Sequence, residues 1–181
     1  EECYPEDNLK YAKPAIMLAD KLLTETTDLS VKKKIVAKKA AFYSYLRVYY
    51  SEFSHDSQPL LSYCNSLLSD YQTLHDSVGI VNTTLQISYY YYSLYNAPKA
   101  MDFCQLALKL ATNINYKYGI AQSLTTKAML YKDYGNIQQA FIHIEQALLA
   151  YEAVKDTDKL SDVLKQKGDF YSQMKQVDEA V

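Results

Sequence analysis

Residues 124–147 read LTTKAMLYKDYGNIQQAFIHIEQA. Apolar residues at helical spacing fill both halves of this stretch, and Gly135-Asn136 divides them with a turn suited to a left-handed helix C-cap. Two helices joined by so short a turn must lie antiparallel. The same pattern recurs forty residues away on either side. Gly79-Ile80 returns as Gly119-Ile120, and Cys64 as Cys104. Leu68, Leu108 and Leu148 fall forty apart, as do Tyr91, Tyr131 and Tyr171, and Ala100, Ala140 and Ala180. A period of this size marks an array of small units, none of which buries its apolar face without a neighbour.

Composition agrees with an all-helical array. Four Gly and four Pro in 181 residues leave little material for hairpin turns, and 49% hydrophobic residues suffice for a continuous core. The 19 basic and 21 acidic residues are well mixed and give a net charge of −2, so the basic footprint of a nucleic-acid binder is absent. No run of eighteen apolar residues exists to span a membrane. The chain opens Glu1-Glu2-Cys3, without a methionine or signal peptide, which suggests a processed or trimmed product. Three scattered cysteines make no disulfide framework. Cys64 and Cys104 occupy one position in successive repeats, and stacked helices about 8–10 Å apart hold such residues beyond disulfide reach. Both are expected to be small buried core residues. Cys3, preceded by two glutamates, does not resemble a lipidation signal.

The periodicity predicts helices over Leu9 to Thr24, about Val31 to Phe53, about Ser57 to Tyr71 and Ser77 to Tyr95. Four more run from the Asn96-Ala97-Pro98 break to about Thr112, then over Tyr116 to Tyr134, Ile137 to Val154 and Asp158 to Met174. Pro14 and Pro59 fall early in their predicted helices, where proline is tolerated. Thr26-Thr27-Asp28 with Ser30 makes a turn and an N-cap, and Ser57 or Asp56 caps the third helix. Val177 to Val181 reads as the first turn of a ninth helix. The corresponding organisation is an N-terminal cap (1–30), a divergent first repeat (31–76), a second (77–115), a third (116–156) and an incomplete fourth (157–181). That the array stops within a unit suggests a longer natural protein.

Leu124, Ala128, Tyr131, Gly135, Ala140, Ile144 and Ala147 together resemble the tetratricopeptide repeat, a helix–turn–helix unit with small, aromatic and alanine positions at those offsets. The next unit supplies Leu164, Gly168, Tyr171 and Ala180, the preceding one Ser88, Tyr91, Ala100, Cys104 and Ala107. The likeness is good over Ser77 to Val181, moderate over Val31 to Tyr71 and poor before that. No tryptophan opens a unit, Lys175 replaces the turn glycine, and no proline closes the second helices. The forty-residue period looks like the variants in bacterial regulatory and signalling proteins, in which the repeats are a sensory part. The resemblance implies an all-α, right-handed superhelical solenoid of antiparallel helix pairs. It also implies a segment lying in the cytoplasm or periplasm of a bacterium.

In that family the first helix of each unit lines a groove that receives a peptide or helix of a protein partner. By position this implies Asn82, Leu85, Tyr89 and Tyr92, then Gln122, Thr125, Met129 and Lys132, with Asp162, Lys165 and Asp169 continuing the surface. One unit earlier the implied residues are Tyr43, Arg47 and Tyr50.

The nineteen tyrosines sharpen this picture. Tyr89 to Tyr92 wrap a helix completely, since each residue turns about 100°. Tyr91 belongs to the repeat position shared with Tyr131 and Tyr171, expected in the core, while Tyr89 and Tyr92, three apart, share a groove face. Tyrosine supplies contact area at low entropic cost, so a stripe of Tyr43, Tyr50, Tyr89 and Tyr92 is the expected binding surface. Catalytic patterns are thin. His55, His75 and His143 are far apart, and no phosphate loop, nucleophile elbow or metal-spaced pair occurs. Glu145, Asp133 and Asp169 read as solvated helix charges, and Lys32-Lys33-Lys34 with Lys38 and Lys39 as a solvated helix face. The sequence therefore predicts a non-enzymatic scaffold or sensor module that binds a protein or peptide, without cofactor, metal or nucleic acid. Self-association through exposed Leu164, Val177 and Val181 is the alternative, and an enzyme with an unrecognised site a weaker one.

Overall fold

The computed structural model describes the backbone of residues 5–52 and 58–179, and their side chains except at 5–9, 44, 48, 49, 51, 52 and 176–179. Cys3, His55, the cap at Asp56 or Ser57, Ala180 and Val181 lie outside the described residues, as do the side chains of Tyr49 and Val177. Eight helices and no strand occur among the described residues. They are α1 (Pro5–Glu25), α2 (Leu29–Glu52), α3 (Gln58–Thr73), α4 (Ser77–Ser93), α5 (Ala97–Asn113), α6 (Lys117–Asp133), α7 (Ile137–Val154) and α8 (Thr157–Glu179). The fold is an all-α helical repeat, as the sequence predicts.

The joints explain why the helices stop where they do. His75, Tyr95, Asn115, Gly135 and Lys155 all have positive φ, between 52° and 74°. They stand twenty residues apart. At each, the N–H of the left-handed residue bonds the carbonyl three back, and the next N–H bonds the carbonyl five before it, as in Asn136 to Tyr131 at 2.9 Å and Gly135 to Lys132 at 2.9 Å. This is the Schellman closure, which satisfies carbonyls that a helix end leaves open. The residue that follows starts the next helix. Asp76, Asn96, Asn136 and Asp156 each accept a hydrogen bond from the N–H three residues on, at 2.9 to 3.3 Å. Tyr116 occupies the same place without a side-chain cap.

At the sixth such place the rule fails, and so does the expected ninth helix. Lys175-Gln176 offers neither glycine nor a capping Asn or Asp, and α8 runs on unbroken to Glu179. A second difference lies in α1, which begins at Pro5, so that Pro14 is interior rather than early. Pro14 is exposed, as is Lys10, whose carbonyl loses its helical donor to the proline ring.

The chain forms two compact units, residues 1–83 and 84–181, divided within α4. In the first, the buried side chains are Ala12, Ile16 and Ala19 of α1, Val36, Tyr43, Leu46 and Tyr50 of α2, and Leu60, Cys64 and Leu67 of α3. Lys39 lies in this core at 2% exposure, and its ammonium reaches Asp20 of α1 (2.5 Å) and Asp70 (2.7 Å) and Ser66 (2.7 Å) of α3. Lys39 is thus no part of a solvated face. Burial of an ammonium requires such partners, and they come from helices distant in sequence. In the second unit Ala121, Leu124 and Ala128 of α6 meet Ile137, Ala140, Ile144 and Ala147 of α7, and Val163 and Phe170 of α8 complete the cluster. Cys64 and Cys104 are free and buried, as expected.

The tyrosines of the forty-residue period are not the core. Tyr91 lies stacked on Phe103 (5.5 Å, 13°) and Tyr131 on His143 (5.3 Å, 17°), each half-buried, with Lys99 and Lys127 over their outer faces. Tyr171 is 63% exposed and meets α7 through a tilted contact with Phe141. Tyr90, one position earlier on α4, turns inward instead and is buried.

Candidate functional site

Each repeat is a helical hairpin of a first (A) and a second (B) helix, and the A helices α4 and α6 carry the side chains that the sequence assigns to a groove. On α6, Gln122, Thr126, Met129 and Asp133 follow at spacings of four, three and four, which is one face of a helix. On α4, Tyr89 and Tyr92 share a face as predicted, and that face meets α6. The hydroxyls of Tyr89 and Thr126 share a hydrogen bond of 2.8 Å, and Thr126 also donates to the Gln122 carbonyl at 2.9 Å. One turn along, the Tyr92 hydroxyl donates to Asp133 Oδ2 at 2.6 Å. Burial and this carboxylate push the Tyr92 phenol up to about 12, since both disfavour the phenolate. Both rings are therefore held by their polar tips while their edges stay partly open.

A second aromatic group backs this face. Tyr151 of α7 is buried, meets Tyr118 edge-to-face (5.9 Å, 79°) and is hydrogen-bonded to Thr125. Burial raises the Tyr151 pKa, the Thr125 bond acting against it. Gln86 and Gln166 stand at the repeat position of Thr126, forty residues to either side, and each has a buried side-chain oxygen without a hydrogen-bond partner among the described residues. Asn82 has one as well. The sequence reading passed over the Gln86–Thr126–Gln166 register, although its forty-residue spacing was visible.

Other predicted groove residues lie elsewhere. Tyr43 and Tyr50 are buried, at 2% and 6% exposure. The core face of α2 runs through Val36, Lys39, Tyr43, Leu46 and Tyr50, so these two rings belong to the core rather than to an open groove. Burial, together with the neighbouring Cys64 thiol to which Tyr43 is hydrogen-bonded, raises the Tyr43 pKa. Leu85 and Thr125 are likewise buried, at 3% and 8%, Leu85 by packing and Thr125 through its bond to the Ala121 carbonyl. Asn82, Gln122 and Met129 are half-buried, and Arg47, Lys132, Lys165, Asp162 and Asp169 are exposed. The stripe of four tyrosines thus reduces to Tyr89 and Tyr92. Two charges read as plainly solvated have partners: Asp133 holds Tyr92, and Glu145 pairs with Lys167 at 3.0 Å.

Among the described residues no group of His, Cys, Asp and Glu is arranged to hold a metal ion. No helix among the described residues is long and apolar enough to cross a membrane.

No protein-family model matches the chain, and no curated protein matches it. Solved structures do. The crystal structure of BtubC (BKLC) from P. vanneervenii superposes with a TM-score of 0.81 at 18% identity, over 99% of this chain and 70% of that one. A signal transduction ATPase with numerous domains (STAND) from Pyrococcus horikoshii, described as having a tetratricopeptide repeat sensor, superposes with a TM-score of 0.60 at 16% identity. That match covers 96% of this chain but only 31% of the ATPase. At these identities the likeness is one of fold, and the chain has the helical-repeat fold of both.

Proposed function

We propose that the chain is a non-catalytic, tetratricopeptide-like recognition module that takes a protein or peptide segment against the A-helix face of its second unit. It serves as the sensing or scaffolding part of a larger regulatory protein of bacterial type. One observation carries the reading: Tyr89 and Tyr92 are fixed through their hydroxyls to Thr126 and Asp133 on the neighbouring A helix. Anchored rings present contact area at little further entropic cost, which is what a binding surface needs. The fold likeness to a protein described as having a tetratricopeptide repeat sensor supports the sensing role by analogy. Binding needs no covalent chemistry, so turnover is not expected.

Selection from a random peptide display library against the purified chain tests this. An enriched peptide should bind the wild type and lose at least about tenfold in affinity, about 1.4 kcal/mol, to Tyr89→Ala/Met129→Ala. Failure to enrich any sequence, or equal binding by the variant, would sink the proposal.

A further inference from the structure

A hollow of about 300 Å³ lies in the first unit, where the last turns of α1, the first turns of α2 and the end of α3 meet. Leu23 of α1, Val36 of α2 and Leu74 at the end of α3 form its apolar wall. Its polar wall is Asp20 and Thr24 of α1, Lys32 of α2, and Asp70 and Thr73 of α3. On each helix these residues fall three or four apart, so each turns one face to the hollow.

The hydrogen bonds already made fix what each polar group can still offer. The Thr24 hydroxyl donates to the Lys21 carbonyl at 2.7 Å, and the Thr73 hydroxyl to the Ser69 carbonyl at 2.9 Å. A hydroxyl has one hydrogen, so both can only accept from a further partner. Lys39 binds Asp20 Oδ1, Asp70 Oδ2 and Ser66 Oγ, which uses all three hydrogens of its ammonium. This clasp fixes both carboxylates. The second oxygen of each, Asp20 Oδ2 and Asp70 Oδ1, has no hydrogen bond among the described residues. The polar groups of α1 and α3 are therefore all acceptors. Lys32 of α2 can only donate, and its half-buried side chain forms no ion pair among the described residues. The formal charges of Asp20 and Asp70 cancel those of Lys32 and Lys39.

A ligand matching these walls is neutral overall but carries both charges. It needs a cationic N–H group for the carboxylates, an anionic oxygen for Lys32 and an apolar body. A simple cation would face Lys32, and a simple anion would face two carboxylates. A peptide holds its terminal charges far apart, whereas a free amino acid joins them through one carbon. At about 30 Å³ for each water-sized group, the hollow has room for about ten, the size class of leucine, methionine or phenylalanine. We propose that the hollow binds a free apolar amino acid. Asp20 and Asp70 take its ammonium, Lys32 takes its carboxylate, and Leu23, Val36 and Leu74 take its side chain. The site lies wholly within the first unit and does not rest on the peptide surface proposed in the second.

Titration of the full chain with L-leucine, L-methionine and L-phenylalanine, followed by calorimetry and amide NMR, tests this. At least one should bind saturably and shift the amides of residues 20–24, 32–36 and 70–74. The analogues of the best binder that lack the carboxylate or the ammonium, for leucine isopentylamine and isocaproate, should each bind at least about tenfold more weakly. A site built to bond a group rejects the analogue without it. Asp20→Asn should lose at least about tenfold in affinity for the amino acid and for the amine. Lys32→Met should bind the two about equally, a loss of discrimination that unfolding cannot produce. Lys33→Met, on the exposed side of α2, should bind as the wild type does. The proposal is overturned if none of the three amino acids binds the folded wild type at millimolar concentration. Equal binding of either analogue and the amino acid overturns it too, as do amide shifts confined to other segments.

Discussion

The hydroxyl of Tyr92 on α4 lies 2.6 Å from Asp133 Oδ2 on α6, an unbroken polar link between successive A helices forty-one residues apart in sequence. A hydrogen bond to an ionised acceptor is stronger than a neutral one, but both groups are partly open to water, which lowers its net value. Tyr92→Phe should therefore cost about 1 kcal/mol in urea unfolding. Asp133→Asn, which keeps an acceptor, should cost less. Equal stability of wild type and Tyr92→Phe would show the link to be incidental.

Alkaline pH should weaken the fold in a defined window. Burial raises the pKa of Tyr43, Tyr92 and Tyr151 above 10.0 and of Cys64 and Cys104 above 9.0, their ordinary values, Cys64 to about 11 and Cys104 to about 12. A folded pKa above the unfolded one contributes stability that is complete below the unfolded value. The unfolded chain then loses protons first, and that contribution is lost as pH rises through the folded value. Urea midpoints should be flat below about pH 8 and fall from about pH 9 upward, more shallowly in Tyr92→Phe than in the wild type. A midpoint that rises over this range would contradict the assignment.

Lys39 should be the most sensitive charged residue of the first unit. Removing one partner of a buried ion pair usually costs about 3–5 kcal/mol. Here Asp20 is half exposed and Asp70 partly so, and both carboxylates can rehydrate. Lys39→Met is expected to cost about 2–3 kcal/mol in chemical denaturation, and Lys33→Met, in solvent, less than about 0.5 kcal/mol. Similar losses for the two would remove the case for an internal clasp.

The turns invite stabilisation. Tyr95 holds φ at 55° with its side chain 96% exposed, so its ring contributes almost no packing to offset a left-handed backbone. Tyr95→Gly should raise stability by about 0.5–1 kcal/mol, the relief of strain exceeding the added unfolded-state entropy. Asn96→Ala, next to it, should lose about 1 kcal/mol with the helix cap. Thermal melts of the two variants should move in opposite directions.

Two glycines separate close packing from open space. A Cβ at Gly79 would clash with the Tyr71 ring, whereas one at Gly168 would meet no other described residue within 4 Å. Gly79→Ala should cost about 1–3 kcal/mol by overpacking. Gly168→Ala should gain about 0.5–1 kcal/mol of helix propensity.

The helices, their pairing and the free buried cysteines were legible because local periodicity records them. The twenty-residue punctuation was not. Its residues are His75, Tyr95, Asn115, Gly135 and Lys155, which share a backbone conformation and nothing in side-chain chemistry, so only the glycine drew notice. That Tyr89 and Tyr92 share one face of α4 was legible because residues three apart on a helix are neighbours. Tyr43 and Tyr50 were misplaced because α2 is longer than the later A helices, and a one-residue change of register turns a side chain by about 100°. Lys39 was missed because its partners, Asp20 and Asp70, are nineteen and thirty-one residues away.

The regular joints also make the chain divisible. Tyr95-Asn96 and Gly135-Asn136 are the same junction, a left-handed residue followed by a capping asparagine that accepts from the N–H three residues on. Excising residues 96–135 would join Tyr95 directly to Asn136 and leave every remaining stop and start signal intact. An A helix would still be followed by a B helix. The length of the array is thus a quantity that deletion or duplication can change in whole hairpins, because the instructions for ending and beginning a helix sit together within a few residues.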